Sequence, residues 1–210
     1  MSGGHDDDAA LVADLRAGKA DALAELLRRY HRATIRVART YVATDACAEE
    51  VAQEAWLGVV QGIGSFEGRS SFRSWLFSIV ANIAKRRGKR EARSVPFSAL
   101  GEGEEEAGPT VDPSRFLDDG RWAGHWAQPP GRMPDEQLQD HQVRALIQRA
   151  IDDLPPLQRR VILLRDVEGV SAEEACAVLE ITEANQRVLL HRARAKVRVA
   201  VEALLEKGAS

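Results

Sequence analysis

The chain has 210 residues, with 29 Lys and Arg against 32 Asp and Glu for a formal net charge of −3, and it is 44% hydrophobic but only 5% aromatic. That size and balance fit one or two small soluble domains. They exclude a membrane-inserted chain, since no uninterrupted apolar run approaches the roughly 20 residues of a spanning helix.

Residues 1–8 (Met-Ser-Gly-Gly-His-Asp-Asp-Asp) lack the basic-then-apolar layout of a signal peptide, so a cytoplasmic protein with a short flexible tail is expected. Helical periodicity then dominates residues 9–93, beginning with Leu11, Leu15, Leu23, Leu26 and Leu27. Residues 45–57 form an amphipathic helix. Val51 and Ala55 face inward, Trp56 either joins them or anchors a partner, and Asp45, Glu49, Glu50, Gln53 and Glu54 make a polar outer face. By composition alone that face is simply solvated.

Gly64, Gly68, Ser70 and Ser71 mark a loop, and Phe72, Trp75, Leu76 and Ile79 open the next helix. Trp75 and Phe77 read as core. The helix ends in a dense basic block, Lys85, Arg86, Arg87, Lys89, Arg90 and Arg93, interrupted by one acid, Glu91. Cations favour the negative end of a helix dipole, but six exceed what capping requires. Contact with nucleic-acid phosphates is the better explanation.

Residues 94–135 are rich in Pro, Gly and acids, among them Glu102, Glu104, Glu105, Glu106, Asp112, Asp118 and Asp119, and read as a long linker between two domains. Trp122 and Trp126 are unusual in a spacer and fit a packed anchor, on the chain itself or on a partner. From Glu136 to about residue 205 the helical pattern returns, with a short tail over 206–210. Gly169 stops one helix. Ser171-Ala172-Glu173-Glu174 is a capping-box pattern that opens the next, and Ala175, Val178 and Leu179 give it an apolar stripe.

After a turn at Glu180-Ile181 and a second cap at Thr182, a long helix begins at about Glu183. Its buried face is read as Leu190, Ala193, Val197, Val201 and Leu204. Arg187, Arg192, Arg194, Lys196 and Arg198 fall largely off that face. An apolar face opposite a basic one, entered after a tight turn, is a recognition-helix design. Five scattered histidines, no phosphate-binding glycine loop, and the distant Cys47 and Cys176 argue against an enzyme, a cofactor or a metal site.

At Leu154-Pro155-Pro156, Gln158-Arg159, Leu164-Arg165-Asp166, Glu168-Gly169, Glu174 and Leu190-His191-Arg192-Ala193-Arg194 the chain resembles region 4 of the extracytoplasmic-function (ECF) sigma factors of bacterial RNA polymerase. The string Glu49-Glu50-Val51, Gln53-Glu54 and Trp56-Leu57 is similar to sigma region 2.2, and residues 62–83 to regions 2.3 and 2.4. The resemblance implies an all-α chain: a region 2 helical bundle over 9–93 and a region 4 helix-turn-helix over 136–205, joined by the irregular linker. It implies an alternative sigma factor whose partners are core RNA polymerase, promoter DNA and, in many relatives, an anti-sigma factor. The rival is a stand-alone helix-turn-helix regulator.

On that resemblance Asp45, Glu49, Glu50, Gln53, Glu54, Trp56 and Leu57 dock on polymerase. Phe66, Glu67, Gly68, Arg69, Ser70 and Ser71 form the loop that melts the −10 element, Phe66 being the base-contacting ring. Lys85, Arg86, Arg87, Lys89 and Arg90 hold the phosphates, and Asn82 either reads a base edge or meets solvent. Thr182, Glu183, Ala184, Asn185, Arg187, Val188, Leu189, His191, Arg192 and Lys196 read the −35 element, with Leu189 pointing to the groove beside Asn185. Gln186 departs from the family pattern: on the buried face it needs a hydrogen-bond partner or a rotated helix start. The acidic linker would thread the polymerase cleft as a mimic of RNA.

Overall fold

The computed structural model describes residues 3–94 and 138–208, and among them every regular element is helical. In chain order these are α1 (Gly3–Arg16), α2 (Ala20–Arg39), α3 (Asp45–Gly62), a 3-10 turn (Ile63–Ser65) and α4 (Phe72–Ser94). Then come α5 (Leu138–Asp152), α6 (Pro156–Ile162), a π-helical segment (Leu163–Val167), α7 (Ala172–Leu179) and α8 (Glu183–Gly208). Linker residues 95–137, with Trp122 and Trp126, lie outside the described residues.

Local chemistry accounts for most boundaries. The Thr44 hydroxyl accepts the Cys47 N–H at 3.2 Å and starts α3, with Asp45 complementing the dipole in the first turn. The Ser71 hydroxyl accepts the Ser74 N–H at 3.2 Å at the start of α4. Pro156 occupies the first position of α6, where a missing N–H costs nothing. Glu180 closes α7 in the left-handed conformation, φ 59°, and the Ile181 N–H returns to the Cys176 carbonyl at 3.1 Å.

The described chain divides into two compact units. One joins α1–α4 to residues 163–183; the other contains α5, α6 and α8. Compactness therefore does not follow the linker, and the segment from Leu163 to Glu183 belongs with the N-terminal helices. In the first unit α2, α3 and α4 pack on one another, α1 packs on α2, and α7 packs on α4. Leu26, Leu76, Phe77, Val51, Val59 and Val80 are fully buried there, each large side chain contributing about 1.5–3 kcal/mol. Gly88 lets α4 pass the turn after α2 closely, because a Cβ at that position would lie 2.5 Å from the Tyr41 carbonyl oxygen. The second unit buries Ile151, Leu154, Val161, Leu189, Leu190 and Ala193.

Two expectations change here. The N-terminus is no loose tail from Gly3 on: α1 is helical, and the buried Asp8 carboxylate accepts the Tyr30 hydroxyl and pairs with Arg29 at 3.4 Å. Burial, then the hydrogen bond to Asp8, pushes the Tyr30 phenol up to about 12. The capping box at Ser171 is only half made. Its hydroxyl accepts the Glu174 N–H at 3.2 Å, but the Glu174 carboxylate accepts the Ser71 N–H at 2.8 Å instead.

Candidate polymerase and nucleic-acid surfaces

On α3, Asp45, Glu49, Glu50, Gln53, Glu54 and Leu57 are all exposed, Leu57 at 63%. Trp56 is not: it is 6% exposed, and its indole N–H has no hydrogen-bond partner among the described residues. The 3.6-residue period decides this, since Trp56 falls one turn after Ala52 on the stripe that also buries Val59. Val60, 48% exposed, was missed in the sequence, although it stands three residues after Leu57 and extends the same apolar patch. The acids are not simply solvated. Asp45 pairs with Arg39 at 2.6 Å, Glu50 pairs with Arg87, and Glu54 lies 3.7 Å from Arg86 and 3.8 Å from Arg87.

Between α3 and α4 a hollow of about 180 Å³ is lined by Ser65, Phe66, Glu67, Arg69, Ser70 and Trp75. It is smaller than the roughly 300–1,000 Å³ of drug-sized ligand sites. Phe66 forms its inner wall. That ring is 8% exposed, 4.8 Å from the Trp75 ring and edge-on to Phe72 at 6.3 Å, with the Arg16 guanidinium 5.9 Å from its centroid. Phe66 is thus held in an aromatic cluster, and Glu67, Gly68, Arg69 and Ser70 are the exposed part of the loop. Gly68 sits at φ 73°, a turn that a side chain would strain. Trp75, read as core, is half-buried and reaches the hollow.

Asn82 is exposed on α4. Of the basic block, Lys85 pairs with Glu180 at 3.1 Å, and Arg86 and Arg87 pair with α3. Lys89 and Arg90 are exposed and have no ion-pair partner among the described residues.

Along α8 and the turn before it, Thr182, Glu183, Ala184, Asn185, Arg187, Val188 and Arg192 are exposed, and His191 and Lys196 are half-buried. Leu189 is 6% exposed and does not point outward with Asn185. Gln186, Leu189, Leu190 and Ala193 share the buried stripe at positions i, i+3, i+4 and i+7, so Gln186 keeps the buried face that its spacing predicts and Leu189 joins it there. Gln186 is 2% exposed, and its amide nitrogen has no partner among the described residues. Arg194, expected off that face, is also buried. The outward stripe is Asn185, Val188 and Arg192, with Ala184, Arg187 and His191 beside it.

Residues 26–94 match the sigma-70 region 2 family and residues 144–197 match sigma-70 region 4, in that order and together over more than half of the chain. The chain belongs to the ECF group of sigma-70 factors. It is similar to the RNA polymerase sigma-H factor of Pseudomonas aeruginosa, 26% identical over 202 residues that take in 96% of this chain and 97% of that one. The ECF RNA polymerase sigma-E factor of Escherichia coli K12 is 28% identical over 200 residues, 95% of this chain and 97% of the relative. The sigma factor RpoE of Bartonella quintana, solved in complex with the anti-sigma factor NepR, shares the fold. Its TM-score is 0.56 at 21% identity, covering 85% of this chain and 95% of RpoE. This sigma factor directs promoter-specific transcription. Among the described residues no helix is long and apolar enough to cross a membrane.

Proposed function

We propose that the exposed surfaces divide the work of an alternative sigma factor in the cytoplasm. Glu49, Gln53, Glu54, Leu57 and Val60 on α3 dock on core RNA polymerase, the carboxylates setting register and the apolar pair adding buried area. The hollow beside Trp75 receives one base extruded from the −10 strand, with Glu67, Arg69 and Ser70 at its rim to meet polar edges. Asn82, Lys89 and Arg90 continue that strand path along α4.

The start of α8 enters the major groove of the −35 element. Asn185 is placed for an adenine edge, Val188 for a thymine methyl, and Arg187 and Arg192 for guanine or phosphate. The chain catalyses nothing itself; it lends recognition and melting to the polymerase. An anti-sigma factor is a fitting further partner, as RpoE has in its solved complex.

The observation that carries this reading is the hollow, because it falls within the region 2 match at the loop singled out for melting. The test is transcription in vitro with purified chain, core polymerase from the same source and a genomic promoter library. Run-off products that require both proteins support the reading. A chain that footprints duplex DNA alone and never binds core polymerase is a simple regulator instead.

A further inference from the structure

We propose that Arg16, in the last turn of α1, is a positioning residue for the −10 hollow, holding its inner wall so that the hollow discriminates among bases. This role rests on the base-receiving reading of the hollow. It falls to a residue that stands before the region 2 match and outside the surfaces assigned above.

The Arg16 side chain leaves its own helix. Its Nε donates to the Ile63 carbonyl at 3.1 Å, 47 residues away in sequence, and its guanidinium carbon lies 5.9 Å from the centroid of the Phe66 ring. The same Ile63 carbonyl accepts the Phe66 N–H at 3.3 Å. Arg16 therefore grips the 3-10 turn at both ends, at the carbonyl that opens it and at the ring that follows it. A cation in the last turn of a helix also favours the dipole, but that alone does not call for a carbonyl of another element. The helix that carries Arg16 is a firm base. Val12 and Leu15 are buried, and the buried Asp8 carboxylate is tied to Tyr30 and Arg29 on α2.

Phe66 is the inner wall of the hollow, and the loop around it has little else to stiffen it. A Cβ at Gly64 or at Gly68 would meet nothing within 4 Å, and Glu67 and Arg69 pair with each other at 2.7 Å. Trp75 and Phe72 back the Phe66 ring, but ring contacts tolerate sliding, whereas a directional hydrogen bond fixes the turn. Arg16 does not line the hollow, so it acts through Phe66. A fixed wall separates bases by shape and edge; a drifting one accepts them more equally. Arg16 is itself exposed, so the rival role is a direct contact with a DNA phosphate.

The test assembles the full chain with core polymerase on fork-junction promoter DNA carrying each of the four bases in turn at every unpaired −10 position. Binding is titrated across salt concentrations, and amide hydrogen exchange at residues 63–66 is followed in the free chain. Arg16→Met keeps the length of the stem and removes both the hydrogen bond and the charge. Base preference at one −10 position is expected to fall by about tenfold, with the salt slope unchanged and exchange at Phe66 faster. Arg16→Lys keeps a cationic donor at the turn and restores most of the preference. Equal weakening for every base, with a salt slope lower by about 1, makes Arg16 a phosphate contact and overturns the proposal. Unchanged preference overturns it too, whatever the melting temperature does, since the contact is then structural only. Unchanged exchange overturns the grip on the turn while leaving the base-receiving hollow intact. A wild type with no base preference at any unpaired position would sink the reading of the hollow and this role with it, and faster exchange in Arg16→Met would then mark a structural contact.

Discussion

Single positions on α8 separate what folds the helix from what reads DNA. Leu189 and Val188 are adjacent and chemically alike, yet one is 6% and the other 48% exposed. Leu189→Ala removes buried methyl groups and leaves a cavity, so it costs about 2–5 kcal/mol of stability with base preference intact. Val188→Ala leaves the melting temperature unchanged and weakens binding to a −35 duplex by about 1 kcal/mol, the worth of a methyl contact. Thermal melts beside duplex titrations with thymine or uracil at the contacted step check both. Equal Tm losses for the two variants would remove Val188 from the groove. The sequence pattern put both residues in the reading set, because a run of Val188-Leu189-Leu190 fits either of two helix rotations. Gln186 is buried one turn before Leu190 although its amide nitrogen has no partner among the described residues, and Leu189 lies on that same stripe. Phe66 is a parallel case: an aromatic beside a glycine loop looks presented to DNA, and only the neighbouring rings of Phe72 and Trp75 draw it inside.

Helix periodicity made most elements legible, since it needs only side-chain spacing and caps that act within one turn. The starts of α3 and α7 and the stop at Gly169 follow from such local signals, and the turn at Glu180 does too, though not its left-handed conformation. The π-helical segment Leu163–Val167 does not, because its 2.9 Å bond from the Glu168 N–H to the Leu163 carbonyl inserts one residue without altering composition. The start of α7 is partly tertiary as well. Its Ser171 cap is local and worth about 1 kcal/mol against Ala, whereas the Glu174 carboxylate reports on α4.

That carboxyl has a folded pKa of about 2 against an ordinary 4.5, a depressed value. Its stabilising contribution is therefore fully present above pH 4.5 and is lost as pH falls toward 2. Chemical denaturation followed from neutral pH to pH 2 is expected to show a steeper loss of stability in the wild type than in Glu174→Gln over that window. Parallel curves would mean that the Ser71 contact contributes nothing to the folded state.

At the scale of the whole chain, the two regions and their order were legible, while the compact units were not. The Pro- and Gly-rich linker separates regions in sequence, but residues 163–183 carry Glu168, Glu174 and Glu180 to partners in α2 and α4 that no local pattern announces. The same folding redistributes charge. A net charge of −3 looks unsuited to a DNA-binding protein, and the block at 85–93 looks like its uniform remedy. In the folded chain Lys85, Arg86 and Arg87 are engaged by Glu180, Glu54 and Glu50, leaving Lys89 and Arg90 as the exposed cations of the block without an ion pair among the described residues.

Each phosphate contact releases condensed counterions and adds close to one unit to the slope of log affinity against log salt concentration. Lys89→Ala and Arg90→Ala should then each reduce that slope for the polymerase–promoter complex by about 1. Arg87→Ala should change it less, because that guanidinium must leave two carboxylates before it meets a phosphate, and the variant should loosen α3 against α4 instead. A titration of promoter binding across salt concentrations separates the cases. A slope that falls equally for Arg87 and for Arg90 would mean that the α3 acids release their arginines on DNA, and that the docking face of α3 is bared in the same step.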